Sequence, residues 1–133
     1  MSTIRFVPTQ VHGFFDYIGG IALISAPFLF GFFSVGGMAV IVPMVLGVGL
    51  ILYSLLTNYE LGIRAVKFIP MPLHLTFDFV AAAFLAVSPF LFGFYHDAPN
   101  VWLPHLIAGI AVILLVLVSQ TQPRRQSAKA TAQ

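Results

Sequence analysis

No cysteine occurs among the 133 residues, and charged side chains make up only 8% of them. The first absence excludes disulfides, thiolate metal sites, iron–sulfur ligation and cysteine nucleophiles. The second excludes an ordinary water-soluble fold. A soluble domain carries roughly 25% charged residues. Six Lys or Arg and four Asp or Glu cannot clothe the surface of a chain this long. With 59% hydrophobic residues and a mean hydropathy of +1.00, most of that surface must meet lipid. The net charge is only +2, and the basic residues form neither a groove nor a recognition helix, so no nucleic-acid partner is expected. Also missing are a Ser–His–acid arrangement, a phosphate-cradling glycine loop, a close carboxylate pair and an H-E-x-x-H signature. The expectation is a non-enzyme with no cofactor and no metal. The ten-residue stretches of alternating polarity that mark a membrane β-barrel are absent as well.

What the sequence does contain is a copy of itself, offset by 62 residues. Arg5-Phe6-Val7-Pro8 lies over Lys67-Phe68-Ile69-Pro70, His12 over His74, and Asp16 over Asp78. Pro27-Phe28-Leu29-Phe30-Gly31-Phe32 recurs unbroken as Pro89-Phe90-Leu91-Phe92-Gly93-Phe94. Twelve of the 28 positions between 5–32 and 67–94 are identical, where composition alone gives about three. The register continues through a one-residue slip, with Pro43 answering Pro104 and Gly47 answering Gly109.

Each copy holds two long apolar segments, at 11–33 and 39–56 in the first and 73–94 and 101–119 in the second. About 20 helical residues span the hydrocarbon core, and helices satisfy their own backbone in lipid. The predicted fold is therefore all-α: a four-transmembrane-helix bundle from two tandem, parallel helical-hairpin repeats. It forms one domain over 1–122, with repeats at 5–60 and 67–122. The polar tail 123–133 is read as disordered and cytoplasmic. The first segment is not read as a cleaved signal peptide, because it runs past Phe30 and recurs inside the chain.

Basic residues set the orientation. Arg5, Arg64, Lys67, Arg124, Arg125 and Lys129 all flank one side, and the loops near 34–38 and 95–100 carry none. The positive-inside rule predicts both termini and the central loop in the cytoplasm. Phe28, Phe30, Phe32, Phe33, Phe90, Phe92, Phe94 and Tyr95 then gather at the outer ends of the first and third helices, with Trp102 opening the fourth. Tyr95 and Trp102 suit an interfacial belt, whereas the phenylalanines suit packing between helices.

The polar inventory inside the spans is short. His12 and Asp16 are spaced i,i+4, as are His74 and Asp78, so each pair lies on one helix face near the cytoplasmic end. Along that face follow Gly19 and Gly20 in one copy and Ala81 and Ala82 in the other. Small residues admit close helix contact. The simplest symmetric arrangement packs the first helix on the third along these faces, so that two His and two Asp converge. Gly47, Gly49 and Gly109 also mark close helix contact, and Pro27 and Pro89 bend the last turn where the outer loop begins.

Three readings of the His/Asp cluster follow. In the favoured one it is structural, a hydrogen-bonded network fixing helix register, with Tyr17, Tyr53 and Thr76 as partners. In the second it handles protons or ions, although the outer half offers only Ser25, Ser88, His96 and His105 to complete a path. In the third it holds a metal or haem, for which no ligand signature is present. His96 and His105 lie elsewhere and do not join it.

Duplicated hairpins, a His-x-x-x-Asp opening each, and Ser-Pro-aromatic before Leu-Phe-Gly-Phe resemble the SPW-repeat family of bacterial integral membrane proteins. The similarity covers about residues 5–120 and extends to Leu55-Leu56-Thr57-Asn58-Tyr59-Glu60-Leu61-Gly62. The family's Ser-Pro-Trp reads Ala26-Pro27-Phe28 in the first copy and Ser88-Pro89-Phe90 in the second, so no role of that indole carries over. The resemblance implies a multi-pass protein of the bacterial inner membrane and assigns no activity. The expected function is a non-enzymatic accessory, scaffold or homo-oligomeric membrane component. The alternative is a small proton- or ion-coupled transporter using the paired His and Asp. The expected partners are the lipid bilayer and, beyond it, other membrane proteins or further copies of the chain.

Overall fold

Backbone groups in hydrocarbon find partners only within their own segment, and the computed structural model resolves each apolar stretch as a helix. It describes residues 4–63 and 65–123. The helices are α1 (Thr9–Leu29), α2 (Gly37–Leu55), α3 (Met71–Leu91) and α4 (Pro99–Val118), each long and apolar enough to cross a membrane. The chain is an all-α, multi-pass membrane protein. Among the described residues no strand forms, only two isolated bridges. The tail after Pro123 and the basic residues Arg64, Arg124, Arg125 and Lys129 lie outside the described residues.

The helix ends differ from the hydropathy limits for local reasons. Pro8 and Pro70 are the N-cap residues, extended at φ −62° and −68°, and start α1 and α3 two residues earlier than expected. Both helices stop at Leu29 and Leu91 rather than at Phe33 and Phe94. Pro27 and Pro89 each remove one N–H, and Gly31 and Gly93 then take the left-handed conformation, φ +73° and +80°. The reversal splits the phenylalanines: Phe32 and Phe94 turn inward and are buried, while Phe28, Phe30, Phe90 and Phe92 stay exposed on the outside of the bundle.

A proline at i also frees the carbonyl at i−4. The Ser88 hydroxyl donates to Leu85 O at 2.7 Å, the carbonyl that Pro89 leaves without its helical N–H. Ala26 has no hydroxyl with which to do the same for Leu23. Ser88→Ala is therefore expected to cost about 1 kcal/mol, read as a lower melting temperature in detergent. No change would mean that Leu85 O is satisfied without Ser88.

Packing within each hairpin is tight and uses the small residues. A Cβ on Gly20 would lie 3.0 Å from Gly47 O, and one on Gly47 would lie 2.6 Å from Gly20 O, so α1 and α2 meet backbone to backbone. Gly109 plays the same part on α4: a Cβ there would lie 2.6 Å from Ala82 O and from Ala86 Cβ on α3. These contacts correct the symmetric arrangement expected from sequence: the small residues join α1 to α2 and α3 to α4, not α1 to α3. A Cβ on Gly19 would meet only Leu50, at 3.9 Å, and one on Gly49 would find nothing within 4 Å, so neither marks a close crossing.

Between hairpins the joints sit at the basic end. Val7 N donates to Val118 O (3.0 Å) and Gln120 N to Val7 O (2.8 Å), and the same pair of bonds recurs as Ile69 N to Leu56 O (3.1 Å) and Asn58 N to Ile69 O (2.8 Å). The second set is the first displaced by 62 residues. The segment before α1 is thus laid on the end of α4 as the segment before α3 is laid on the end of α2. Arg5 reinforces the first joint by donating to Ser119 O at 2.6 Å, where the α4 carbonyls end.

Candidate functional site

These two joints position the polar residues. His12 and His74 lie one turn inside α1 and α3, with Asp16 and Asp78 one turn further, and all four side chains are at most 4% exposed. The structure brings the four together. His12 Nε2 lies 3.2 Å from Asp16 Oδ1 on its own helix and 2.8 Å from Asp78 Oδ2 across the bundle. His74 Nε2 lies 3.2 Å from Asp78 Oδ2 and 3.0 Å from Asp16 Oδ2. The two imidazoles meet edge to face, centroids 5.6 Å apart. Thus α1 and α3 communicate through these side chains rather than by backbone contact.

The outer atoms of the cluster are held by a surrounding ring. Thr57, just beyond α2, donates its hydroxyl proton to Tyr53 O at 2.7 Å and stands 2.8 Å from His74 Nδ1. Ser119, just beyond α4, donates to Leu115 O at 2.6 Å and stands 2.6 Å from His12 Nδ1. A hydroxyl has one proton, and a carbonyl only accepts. Each hydroxyl therefore accepts from its histidine, and both Nδ1 atoms carry hydrogen. On the acid side the Tyr53 hydroxyl donates to Asp78 Oδ1, and Tyr59 donates to Asp16 Oδ2 at 3.1 Å. Tyr59 sits in the loop between hairpins, closes the cluster from that side and is 1% exposed. Burial, and after it the Asp16 carboxylate, pushes the Tyr59 pKa up and keeps it a neutral donor.

Of the three partners named from sequence, Tyr53 takes the expected place. Tyr17 instead donates to Leu61 O, and Thr76 turns back to Pro72 O on the surface. Thr57, Ser119 and Tyr59 went unnoticed. A signal for two of them existed, since Thr57 and Ser119 are hydroxyl residues 62 apart and belong to the repeat. Tyr59 has no tyrosine at the matching position, which is Thr121.

A third buried histidine lies at the other end. His105 on α4 faces Val101 O (2.8 Å) and, on α2, Ala39 O (2.9 Å), between the rings of Phe32 and Phe94. It ties the hairpins together at the end of the bundle away from the cluster and takes no part in it.

Between α1 and α4 runs a groove of about 490 Å³. Leu23, Ala26, Leu103, Ala108 and Ala111 are among its walls, and Asp16 and Asp78 border it. Its surface is otherwise nearly all apolar.

No curated protein and no solved structure matches this chain. The SPW repeat domain matches residues 10–119, which takes in both His–Asp pairs, the buried prolines Pro27, Pro43 and Pro89, and the two hydroxyls behind the histidines. On that match the chain belongs to the SPW repeat domain family.

Proposed function

We propose that this chain is a non-enzymatic component of the bacterial inner membrane, an accessory or scaffold subunit or a homo-oligomer, with its termini and central loop in the cytoplasm. The orientation rests on the positive-inside rule. Arg5 and Lys67 flank the same end of the bundle as the His/Asp cluster. The functional reading rests on one observation: the histidine of each hairpin reaches the carboxylate of the other, with a hydroxyl behind each ring. Such an arrangement acts as a fastener, since separating the hairpins would leave buried charges unpaired. The groove beside Asp16 and Asp78 is apolar, so it suits acyl chains better than a column of water. Exposed Ile107, Ile110, Leu114 and Leu117 on α4 offer lipid or a neighbouring helix a continuous apolar stripe.

The test is reconstitution in liposomes loaded with a pH-sensitive dye. Under either a pH gradient or a membrane potential, proteoliposomes are expected to leak no faster than empty vesicles. Flux above that background that disappears in Asp78→Asn would replace this reading with proton- or ion-coupled transport.

A further inference from the structure

We propose that the four-residue cluster is a binding site for a divalent transition-metal ion of the zinc type, held by His12 Nε2, His74 Nε2 and one oxygen each of Asp16 and Asp78. This deepens the reading of the cluster as a fastener by naming what closes it.

Three observations carry the assignment. The first concerns the proton positions. Because Thr57 and Ser119 take the Nδ1 hydrogens, a neutral histidine at either position presents a bare Nε2 lone pair to the carboxylates. Lone pair against carboxylate is repulsive unless something positive lies between. A second proton on each ring is one solution, but at His74 it is poorly directed. Its Nε2 is fully buried and has no hydrogen-bond partner, although Asp16 Oδ2 and Asp78 Oδ2 are 3.0 and 3.2 Å away. Neither oxygen is aligned to accept an N–H there. A cation shared with those oxygens uses the same lone pair without that alignment.

The second observation is size. The four atoms lie within 4.8 Å of one another, and the four nitrogen–oxygen separations run from 2.8 to 3.2 Å. A tetrahedral ion with bonds near 2.0–2.1 Å has ligand–ligand edges of about 3.3 Å. The nitrogen–oxygen separations come within a few tenths of an ångström of such an edge, with Asp16 turning Oδ1 to His12 and Oδ2 to His74, and the widest spacing among the donor atoms, up to 4.8 Å, contracts when the ion binds. Two neutral imidazoles, two carboxylates and a dication also sum to zero charge, the least costly state in a low-dielectric interior. Imidazole nitrogens select a transition ion over calcium or magnesium.

The third is support around the ligands. Metal-bound histidines donate their other N–H to an oxygen, and bound carboxylates are themselves hydrogen-bonded. Here every ligand has such a partner: Ser119 and Thr57 on the two Nδ1 atoms, Tyr53 on Asp78 and Tyr59 on Asp16. The sequence names these four residues and allows a metal as the third of three readings, ranked below a structural role because ligands drawn from two hairpins match no contiguous signature.

The experiment uses the full chain in detergent, purified through a histidine-free tag and stripped with a chelator. Added zinc is expected to bind at about one ion per chain and to raise the melting temperature. Cobalt in its place should give the intense visible bands of a tetrahedral nitrogen–oxygen site. Thr57→Val, which removes a supporting hydroxyl and no ligand, should weaken zinc binding about 10–100-fold. His74→Gln should abolish binding with the helical circular dichroism retained. If His74→Gln does not fold, the wild-type cobalt spectrum decides, and an octahedral spectrum overturns the assignment. So does a folded wild-type chain that takes up no zinc, or zinc binding undiminished in a folded His74→Gln. A chain that binds no metal yet loses stability on Asp78→Asn would keep the fastener and lose the ion.

Discussion

Asp78→Ala is expected to destabilise the bundle by about 3–5 kcal/mol, the cost of breaking a buried charged pair by removing one partner. Three groups lose their contact at once. His12 Nε2 gives up its shortest neighbour, His74 Nε2 loses one of two, and the Tyr53 hydroxyl loses the acceptor it donates to. All of this happens where Asp78 is 2% exposed, so water does not replace the lost oxygen atoms cheaply. Asp97, exposed in the loop between α3 and α4, is the control, and its alanine variant should stay within about 0.5 kcal/mol of the parent. Thermal or denaturant unfolding in a single detergent compares the two. Equal effects at Asp78 and Asp97 would show that the cluster is solvated.

Gly109→Leu should do comparable damage by the opposite route, excess rather than loss. Even the first carbon of the new side chain would sit 2.6 Å from Ala82 O, 2.6 Å from Ala86 Cβ and 2.7 Å from Ala86 N. Two of those three atoms are backbone and cannot swing aside, so α3 and α4 must separate. The expected loss is about 3 kcal/mol, at the upper end for overpacking, with helicity kept and a lower melting temperature. Gly49→Ala is the contrast. Nothing lies within 4 Å of the added carbon, and a glycine leaves a helix interior, so stability should hold or rise by up to about 1 kcal/mol. If Gly109→Leu melts like the parent, the crossing of α3 on α4 is looser than described.

The contrast between Gly109 and Gly49 also shows how far sequence alone reaches. Span number and helical class were legible because lipid allows only one way to satisfy a long apolar backbone. The pairing of His12 with Asp16 and of His74 with Asp78 was legible from i,i+4 spacing, and the 62-residue offset suggested that the pairs belong together. Which face each glycine presents was not legible, because Gly19, Gly20, Gly47 and Gly49 look alike until the helices cross. Helix ends were misjudged at Phe33 and Phe94 because hydropathy continues through Gly31 and Gly93, while the backbone reverses there. The crosswise geometry was hidden for a deeper reason. Thr57 and Ser119 reach their histidines only because short backbone joints seat one hairpin's end on the start of the other, and Tyr59 enters from a loop whose path hydropathy does not encode.

The central claim is that the histidine of one hairpin is energetically tied to the carboxylate of the other. A double-mutant cycle on His12 and Asp78, 66 positions apart in sequence and 2.8 Å apart in space, measures that tie without reference to any activity. Unfolding free energies of His12→Ala, Asp78→Ala and the double variant are compared in one detergent. The account predicts a coupling of about 1–3 kcal/mol, the double variant losing much less than the sum of the two single losses. Additive losses would mean that the two side chains do not meet, and the fastener between hairpins would have to be abandoned.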